Sequence, residues 1–291
     1  MPIDYDDMMQ SGASGLAASY DERDVMLYAL GVGFGRDPLD ANELPFVYEN
    51  NGLKVVPTFA SVIARGEAPP ERQRMPQTSS INFMMVVDGE RRITVHKPLP
   101  SRCAITADER YLDILDKGAG KGAVLIHERV AREAASGEKL FTIVSSIFAR
   151  GDGGFGGKPH GGPELHEIPA RAPDLVTECT TRPDQALLYA LSGDRNPLHR
   201  DPAVARMAGF PRPILHGLCS YGIACRAVLA AIAQYRPERI RQFDVRFSKP
   251  VFPGETLAVE MWQDGNAVSY RAGVKERPGT VVLNNGLCLL D

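Results

Sequence analysis

The sequence predicts an α+β protein made of two tandem copies of one unit, each an antiparallel sheet with a helix. Three observations predict it. First, "YALGVGFGRDPLD" at Tyr28 returns as "YALSGDRNPLHRDP" at Tyr189, and "HKPLPSRCAIT" at His96 returns in the same order as "SKPVFPGETLA" at Ser248. The copies are offset by 161 residues at Tyr-Ala-Leu and by 152 at Lys-Pro. A period this long marks a duplicated domain, not a solenoid. Second, β-branched, partly alternating runs follow one another across short gaps, which favours antiparallel pairing; parallel pairing needs helical crossovers that are not visible. Third, an apolar run from Gly217 to about Tyr235 is hydrophobic nearly all round, as a buried helix must be.

Each copy opens on a helical segment. In the second, "TTRPDQALLYALSG" offers a threonine cap, Pro183 near the first turn, and apolar Ala186, Leu187 and Tyr189 to Leu191. Strands follow in the first copy as "AITADERYLDIL", "GAVLIHERVAREA" and "KLFTIVSSIFARG". In the second they follow as "IRQFDVRFSKPV", "TLAVEMWQDG", "AVSYRAGVKER" and "TVVLNNGLCLL". Between the copies, glycine and proline dominate from Gly151 to Asp174, the composition of a linker. The expected division is a first domain over 1–150, a linker over 151–173 and a second domain over 174–291. Gly151 to Gly156 formally matches G-x-G-x-x-G, but Lys158-Pro159-His160-Gly161 cannot supply the helix that a dinucleotide site needs. The first copy has no equal of the long helix. Its counterpart, "VVPTFASVIARGEAPPERQRMPQ", breaks up and turns polar, which leaves space for a ligand.

The 291 residues are 44% hydrophobic and 24% charged, with a net charge of -3. No lysine or arginine block stands out, so nucleic acid and membrane surfaces are not expected partners. The N-terminus is acidic and no apolar stretch follows it, unlike an export signal. Residues 214–233 are the most apolar long segment, yet His216 and Arg226 within it argue for a buried helix over a membrane span. Five scattered cysteines without a C-x-x-C pair suggest reduced thiols in a cytoplasm. The terminal "CLLD" is no peroxisomal Ser-Lys-Leu address.

Chemistry concentrates at two places. Asp194, Asn196 and His199 lie within six residues just after a helix, stiffened by Pro197. A carboxylate and an imidazole brought together can share one water. The same residue types also build ordinary turns. In the first copy Asp40 stands opposite His199, so that copy keeps Pro-Leu but lacks the imidazole. The second place is "PILHGLCSYG", where Gly217 opens the apolar helix. Unpaired amides and the positive dipole end lie there, and glycine admits a ligand oxygen close to the backbone. Cys219 and Ser220 have no separate base and read as core or lining. His96, His127, His160 and His166 lack metal-ligand spacing and read as structural or solvated, so no metal is expected.

The run "YALSGDRNPLHRDPAVARMAGFPRPILHGLCSYG" closely resembles the hydratase 2 motif of the MaoC-like (R)-specific 2-enoyl-CoA hydratases. "VDGERRITVHKPLP", "DILDKGAGKGAV", "GDGGFGGK" and "RFSKPVFPGETLAVEMW" match that family too, so the resemblance spans nearly the whole chain. It implies a tandem double hot-dog fold, antiparallel sheets wrapped around helices, with a degenerate central helix in the first unit and an acyl tunnel in its place. It also implies reversible hydration of trans-2-enoyl-CoA to (3R)-3-hydroxyacyl-CoA without metal or redox cofactor, by a homodimer acting on acyl-CoA in fatty-acid metabolism. The family's catalytic pair falls on Asp194 and His199, its active-site asparagine on Asn196 and its oxyanion-hole glycine on Gly217. Substrate contacts fall on Asp88, Gly89, Lys117, Arg195, Pro197, Leu198 and Phe247. Family members can carry histidine where Asp88 stands, which points that contact to the backbone. A hot-dog thioesterase, a carrier-protein dehydratase and a non-catalytic acyl-CoA-binding subunit are the rival readings.

Overall fold

Side-chain alternation decides which face of a strand is buried, and the strands of this protein follow from it. The computed structural model describes residues 3–50, 52–63, 68–76, 81 and 85–291. In chain order the first elements are α1 (Tyr5–Met9), β1 (Gly12–Tyr20), α2 (Glu22–Gly31), α3 (Leu44–Val47), α4 (Ala60–Ile63) and β2 (Gln73–Arg74). The strands β3 (Val86–Val95), β4 (Cys103–Asp116), β5 (Ala123–Glu133) and β6 (Lys139–Ala149) complete the first half. The second half runs β7 (Leu175–Thr180), α5 (Gln185–Tyr189), α6 (Pro202–Met207), α7 (Gly217–Ala231) and β8 (Ile240–Phe247). It ends with β9 (Thr256–Asp264), β10 (Ala267–Val274) and β11 (Val281–Leu290). Every sheet pairing described is antiparallel, as the short connections require. The architecture is the α+β double hot-dog type.

Packing divides the chain into two units. The first comprises Met1–Ala18, Ala64–His96 and Ala104–Leu165; the second comprises Ser19–Ile63, Lys97–Cys103 and His166–Asp291. The repeats at 1–150 and 174–291 are therefore not the packing units: residues 19–63 and 97–103 belong with the second. The cause lies in α2, whose buried Val25, Tyr28 and Ala29 pack within the second unit. A Cβ on Gly222 of α7 would come 2.4 Å from Val32 and 2.9 Å from the Tyr28 hydroxyl, so the two helices touch where only glycine fits.

In the first unit the strand order is β2-β1-β4-β5-β6-β3. One face of its sheet buries Ile93, Val95, Ile105, Ala107, Ile114, Leu125, Phe141 and Ile143. Capped by Asp4, α1 lays Met8 with Ile3 against Ile114, Ala123, Leu125 and Ala149. At the end of β4 the Asp116 carboxylate accepts amide hydrogens from Gly118, Gly154 and Gly156 at 2.8, 2.7 and 2.7 Å. The G-x-G-x-x-G stretch thus spends its amides on an internal carboxylate, and no helix follows it. Where the sequence predicts the broken helix, α4 covers four residues, and 64–67 lie outside the described residues.

In the second unit the order is β8-β11-β10-β9-β7, and α7 lies against β7, β8 and β9. Eleven of the fifteen α7 residues are buried, which fulfils the all-round apolar pattern. The helix stops at Ala231, short of the expected Tyr235, because Gln234 and Tyr235 turn to φ of 55° and 53°. The expected threonine cap of α5 is displaced as well. Asp184 is the N-cap residue, while the Thr181 hydroxyl donates to the Glu255 carbonyl and accepts from Gly254. The first-copy loop is held by Glu43, buried, which takes the Gly35 amide at 2.9 Å and pairs with Arg226 at 2.6 Å.

Candidate active site

Gly193, at φ of 118°, ends the helical turn after α5 and reverses the chain. Glycine adopts that left-handed geometry without a Cβ penalty. Asp194 follows, and its Oδ1 accepts the Asn196 amide at 3.2 Å. The Asn196 side-chain oxygen in turn accepts the Leu198 amide at 3.0 Å, starting a 3₁₀ turn over Pro197–His199. Pro197 fixes its own φ and contributes no amide, so it suits the first position of that turn. These are the turn hydrogen bonds that the residue types lead one to expect. They also aim His199 inward, where its Nδ1–H donates to the Ile214 carbonyl at 2.9 Å. That bond leaves Nε2 as the lone-pair nitrogen.

The structure adds a residue that sequence reasoning did not place in the site. His216 is buried, caps α7, and donates from Nε2 to the main-chain carbonyl of Asp194 at 3.0 Å. Its ring lies 3.8 Å from that of His199 and 5.0 Å from Tyr189, centroid to centroid. One carboxylate oxygen of Asp194 and one ring nitrogen from each histidine fall within 4.8 Å of one another. Among the described residues this is the one His/Cys/Asp/Glu group close enough to hold an ion. Burial foremost, then the neighbouring His199, lowers the His216 pKa to about 4, against the opposing pull of Asp194. His216 is consequently a neutral, Nε2-protonated imidazole near pH 7, and its Nδ1 has no hydrogen-bond partner among the described residues. The signal available in the sequence was its place beside Gly217 at the head of an apolar run.

Gly217 is the first residue of α7, where the opening amides have no acceptor inside the helix. A Cβ there would press to 3.2 Å against the Phe247 ring at the end of β8. The amide of Gly217 thus sits one residue from His216, under Phe247, at the positive end of a fifteen-residue helix. Asp194, Asn196, Pro197, Leu198, His199, Gly217 and Phe247 all belong to the second unit, and Arg195 lies in the same loop with its carbonyl bonded to Arg200. Asp88, Gly89 and Lys117 belong to the first unit. There Gly89 sits in a β-bulge of β3, Asp88 pairs with Arg91 at 3.3 Å, and Lys117 Nζ donates to the Pro159 carbonyl at 2.6 Å. Cys219 is buried with its thiol raised far above the usual range by burial, as befits a core residue and not a nucleophile. His96 and His166 bond to Thr142 and Ser269, and His160 is exposed. In the first copy Asp40 accepts the Asn42 amide at 2.9 Å, a turn role that asks for no imidazole.

Comparison with known proteins follows this geometry. Residues 18–151 match the family model "MFE-2 hydratase 2 N-terminal domain", and residues 164–284 match "MaoC like domain". The peroxisomal enoyl-CoA hydratase 2 of Arabidopsis thaliana is 42% identical over 277 residues, covering 91% of this chain and 88% of that protein. The enoyl-CoA hydratase ChsH3 of Mycobacterium tuberculosis is 41% identical over 286 residues, covering 98% of both. A crystal structure of a MaoC-like dehydratase from Phytophthora capsici superposes with a TM-score of 0.86 at 34% identity, covering 99% of both chains.

Proposed function

Because the chain belongs to the enoyl-CoA hydratase 2 family, with its paired hydratase 2 N-terminal and MaoC-like domains, we propose that it hydrates trans-2-enoyl-CoA to (3R)-3-hydroxyacyl-CoA and catalyses the reverse dehydration. It is a hydro-lyase of fatty-acid or related acyl-CoA metabolism. The observation that carries the mechanism is the convergence of Asp194 and His199 beside the amide end of α7.

An enoyl thioester is a poor electrophile until its carbonyl is polarised. The Gly217 amide donates to that oxygen, and electron density withdrawn from the double bond makes C3 attackable. Asp194 and the Nε2 side of His199 hold one water. Asp194 takes a proton from it as the oxygen bonds to C3. The enolate that forms collapses as C2 accepts a proton, with His199 orienting the water and sharing the proton. Every atom of water ends in the product. The summed carbon oxidation state does not change, so the reaction calls for no redox cofactor. The amide does the polarising that a Lewis acid would otherwise do, which supports a metal-free reading; dialysis against EDTA is expected to leave turnover unchanged.

We further propose a cytoplasmic homodimer. Five buried free thiols fit a reducing compartment. Exposed Leu30, Leu187 and Leu191 offer apolar surface for self-association. No helix among the described residues is long and apolar enough to cross a membrane. Light scattering after gel filtration tests for twice the 31.7 kDa chain mass.

Steady-state hydration of crotonyl-CoA tests the catalytic assignment. Asp194→Asn and His199→Ala are expected to fold normally and to lose ~10²–10⁴ in kcat. Near-wild-type turnover in either would overturn it. Release of free CoA, read with a thiol reagent, would mean a thioesterase instead.

A further inference from the structure

The side chains at the catalytic loop also have the make-up of a metal site. Asp194, His199 and His216 belong to one unit, and one donor atom from each lies within 4.8 Å of the other two. Two imidazoles and a carboxylate suit Zn²⁺ and its neighbours in the first transition row, whereas Mg²⁺ and Ca²⁺ ask for oxygen donors.

The way each imidazole is held goes beyond composition. A histidine that binds a metal through one ring nitrogen almost always donates its other N–H to a carbonyl or carboxylate, which fixes the tautomer and the ring. Both histidines do so here. His199 donates from Nδ1 to the Ile214 carbonyl at 2.9 Å, and His216 from Nε2 to the Asp194 carbonyl at 3.0 Å. The lone pairs are therefore on His199 Nε2 and His216 Nδ1. His216 is 1% exposed, and its Nδ1 has no hydrogen-bond partner among the described residues. Leaving a buried acceptor unanswered costs free energy, and a metal ion answers such a nitrogen as an N–H donor would. The hydration steps leave that nitrogen idle.

Geometry sets the strength of the site. A tetrahedral Zn²⁺ with bonds of about 2.0–2.1 Å holds its donors about 3.3 Å apart. The three donor atoms have to close to that spacing from within 4.8 Å. The two rings lie 3.8 Å apart at 31°, nearly face to face, so one must turn before both lone pairs meet at one point. His216 is buried at the head of α7, whereas His199 is half-buried on its 3₁₀ turn and is the ring to turn. That rearrangement opposes binding, so the site fills reversibly and more weakly than a preformed structural zinc centre.

We propose that Asp194, His199 and His216 form an inhibitory site for a divalent transition cation of the Zn²⁺ class. The ion takes the Asp194 carboxylate and the His199 Nε2 lone pair. These are the groups that hold water and move its proton in the hydratase reading, on which the inhibition rests. Metal binding and turnover therefore exclude each other. The metal-free chain is the active form, in keeping with turnover that EDTA is expected to leave unchanged.

The test titrates metal-stripped protein with Zn²⁺ in a calorimeter and, separately, with Co²⁺ followed by its visible absorption. The wild type is expected to bind one Zn²⁺ per chain, and its Co²⁺ form to show the strong visible bands of a four-coordinate ion. His216→Phe and His199→Ala are each expected to weaken binding by at least the ~10–100-fold that loss of an outer hydrogen-bond partner costs. His160→Ala removes an exposed histidine elsewhere and is expected to bind as the wild type does. Circular dichroism checks that each variant is folded; if His216→Phe is not, His199→Ala decides the outcome. Absence of saturable binding would overturn the site. So would Mg²⁺ bound as tightly as Zn²⁺, or Zn²⁺ binding that survives both histidine substitutions. In hydration of crotonyl-CoA, Zn²⁺ is expected to inhibit with a midpoint equal to its calorimetric Kd, and EDTA to restore turnover in full. Undiminished turnover by the metal-loaded protein would overturn the inhibition. Should the wild type hydrate no enoyl-CoA, the reaction reading fails by itself, and the two titrations still decide the metal site.

Discussion

His216 holds the reacting loop by a single hydrogen bond, from its Nε2 to the Asp194 carbonyl, while its ring supports that of His199. It touches the catalytic pair and not the reacting atoms, so it is a positioning residue. His216→Phe keeps the ring and removes the donor. It is expected to lower kcat by roughly 10- to 100-fold with little change in KM, because misplacing a catalytic group by a fraction of its reach raises the barrier and not the binding energy. His216→Gln retains an N–H donor and should recover part of the loss. Equal kcat values for the two variants would refute the positioning role. Gly217 poses the complementary case. A Cβ 3.2 Å from Phe247 forces either the ring or the helix end to shift. Gly217→Ala should cost about 10-fold or more in kcat, on the scale of a weakened oxyanion donor. Adding Phe247→Leu should restore part of it by giving the methyl group room. At this scale the sequence was half legible. Asp194 and His199 announce themselves by spacing, because a turn of six residues brings both to one point. His216 lies 22 residues from its carbonyl partner, and nothing local encodes that closure.

Helices and strands were legible where their residues pack on their own neighbours in the chain. The seven strands named from alternation in the sequence all form, from β4 to β6 and from β8 to β11. By contrast β1, with Gly12 and Gly15, carries a weak pattern, and β7 leaves Leu175 and Val176 exposed. Both depend on a partner strand for their conformation, which propensity cannot report. The same limit explains α2. Its sequence marks it as first-copy, but its apolar side finds its complement against α7 at Gly222. Gly222→Val is therefore expected to destabilise the protein by about 1–3 kcal/mol through overpacking against Val32 and Tyr28. Urea unfolding would show it as a lowered midpoint at unchanged m-value; an unshifted midpoint would mean the helices part at little cost. The first-copy loop gives the opposite expectation. Asp40 supports a turn, so Asp40→Ala should cost about 1 kcal/mol of stability and leave hydration of crotonyl-CoA intact. A loss of turnover matching that of His199→Ala would assign catalysis to the first copy.

Over the whole molecule, duplication divides labour: one copy keeps the Asp-x-Asn-Pro-x-His loop and the long helix, and the other keeps the sheet with a different interior. Each unit thereby buries one histidine in its neutral form. Burial lowers His216 to about 4 in the second unit, and burial with Arg91 and Arg129 lowers His127 to about 3 in the first. In the unfolded chain both return to the ordinary value near 6.5. Between pH 6.5 and these lowered values the unfolded chain binds more protons than the native one. Linkage then makes stability rise with pH through that window. The contribution is complete above pH 6.5 and is lost progressively as pH falls toward 4 and then 3. For His216 the loss is on the order of 3 kcal/mol, a large share of the marginal stability of a domain. Carboxylates cannot account for a loss that begins so early. Asp116, held below its ordinary 3.8 by the Gly154 amide first of all, starts to lose its contribution only near pH 4. Urea midpoints measured from pH 7.5 down to 4.5 should therefore fall steadily in the wild type, and His216→Gln should flatten part of that slope while lowering the plateau. A wild-type midpoint that stays constant from pH 6.5 to 5 would mean that both imidazoles accept protons in the folded protein. That outcome would keep the Nε2–H bond to the Asp194 carbonyl, which either protonation state can make, but would place a charged His216 ring against His199.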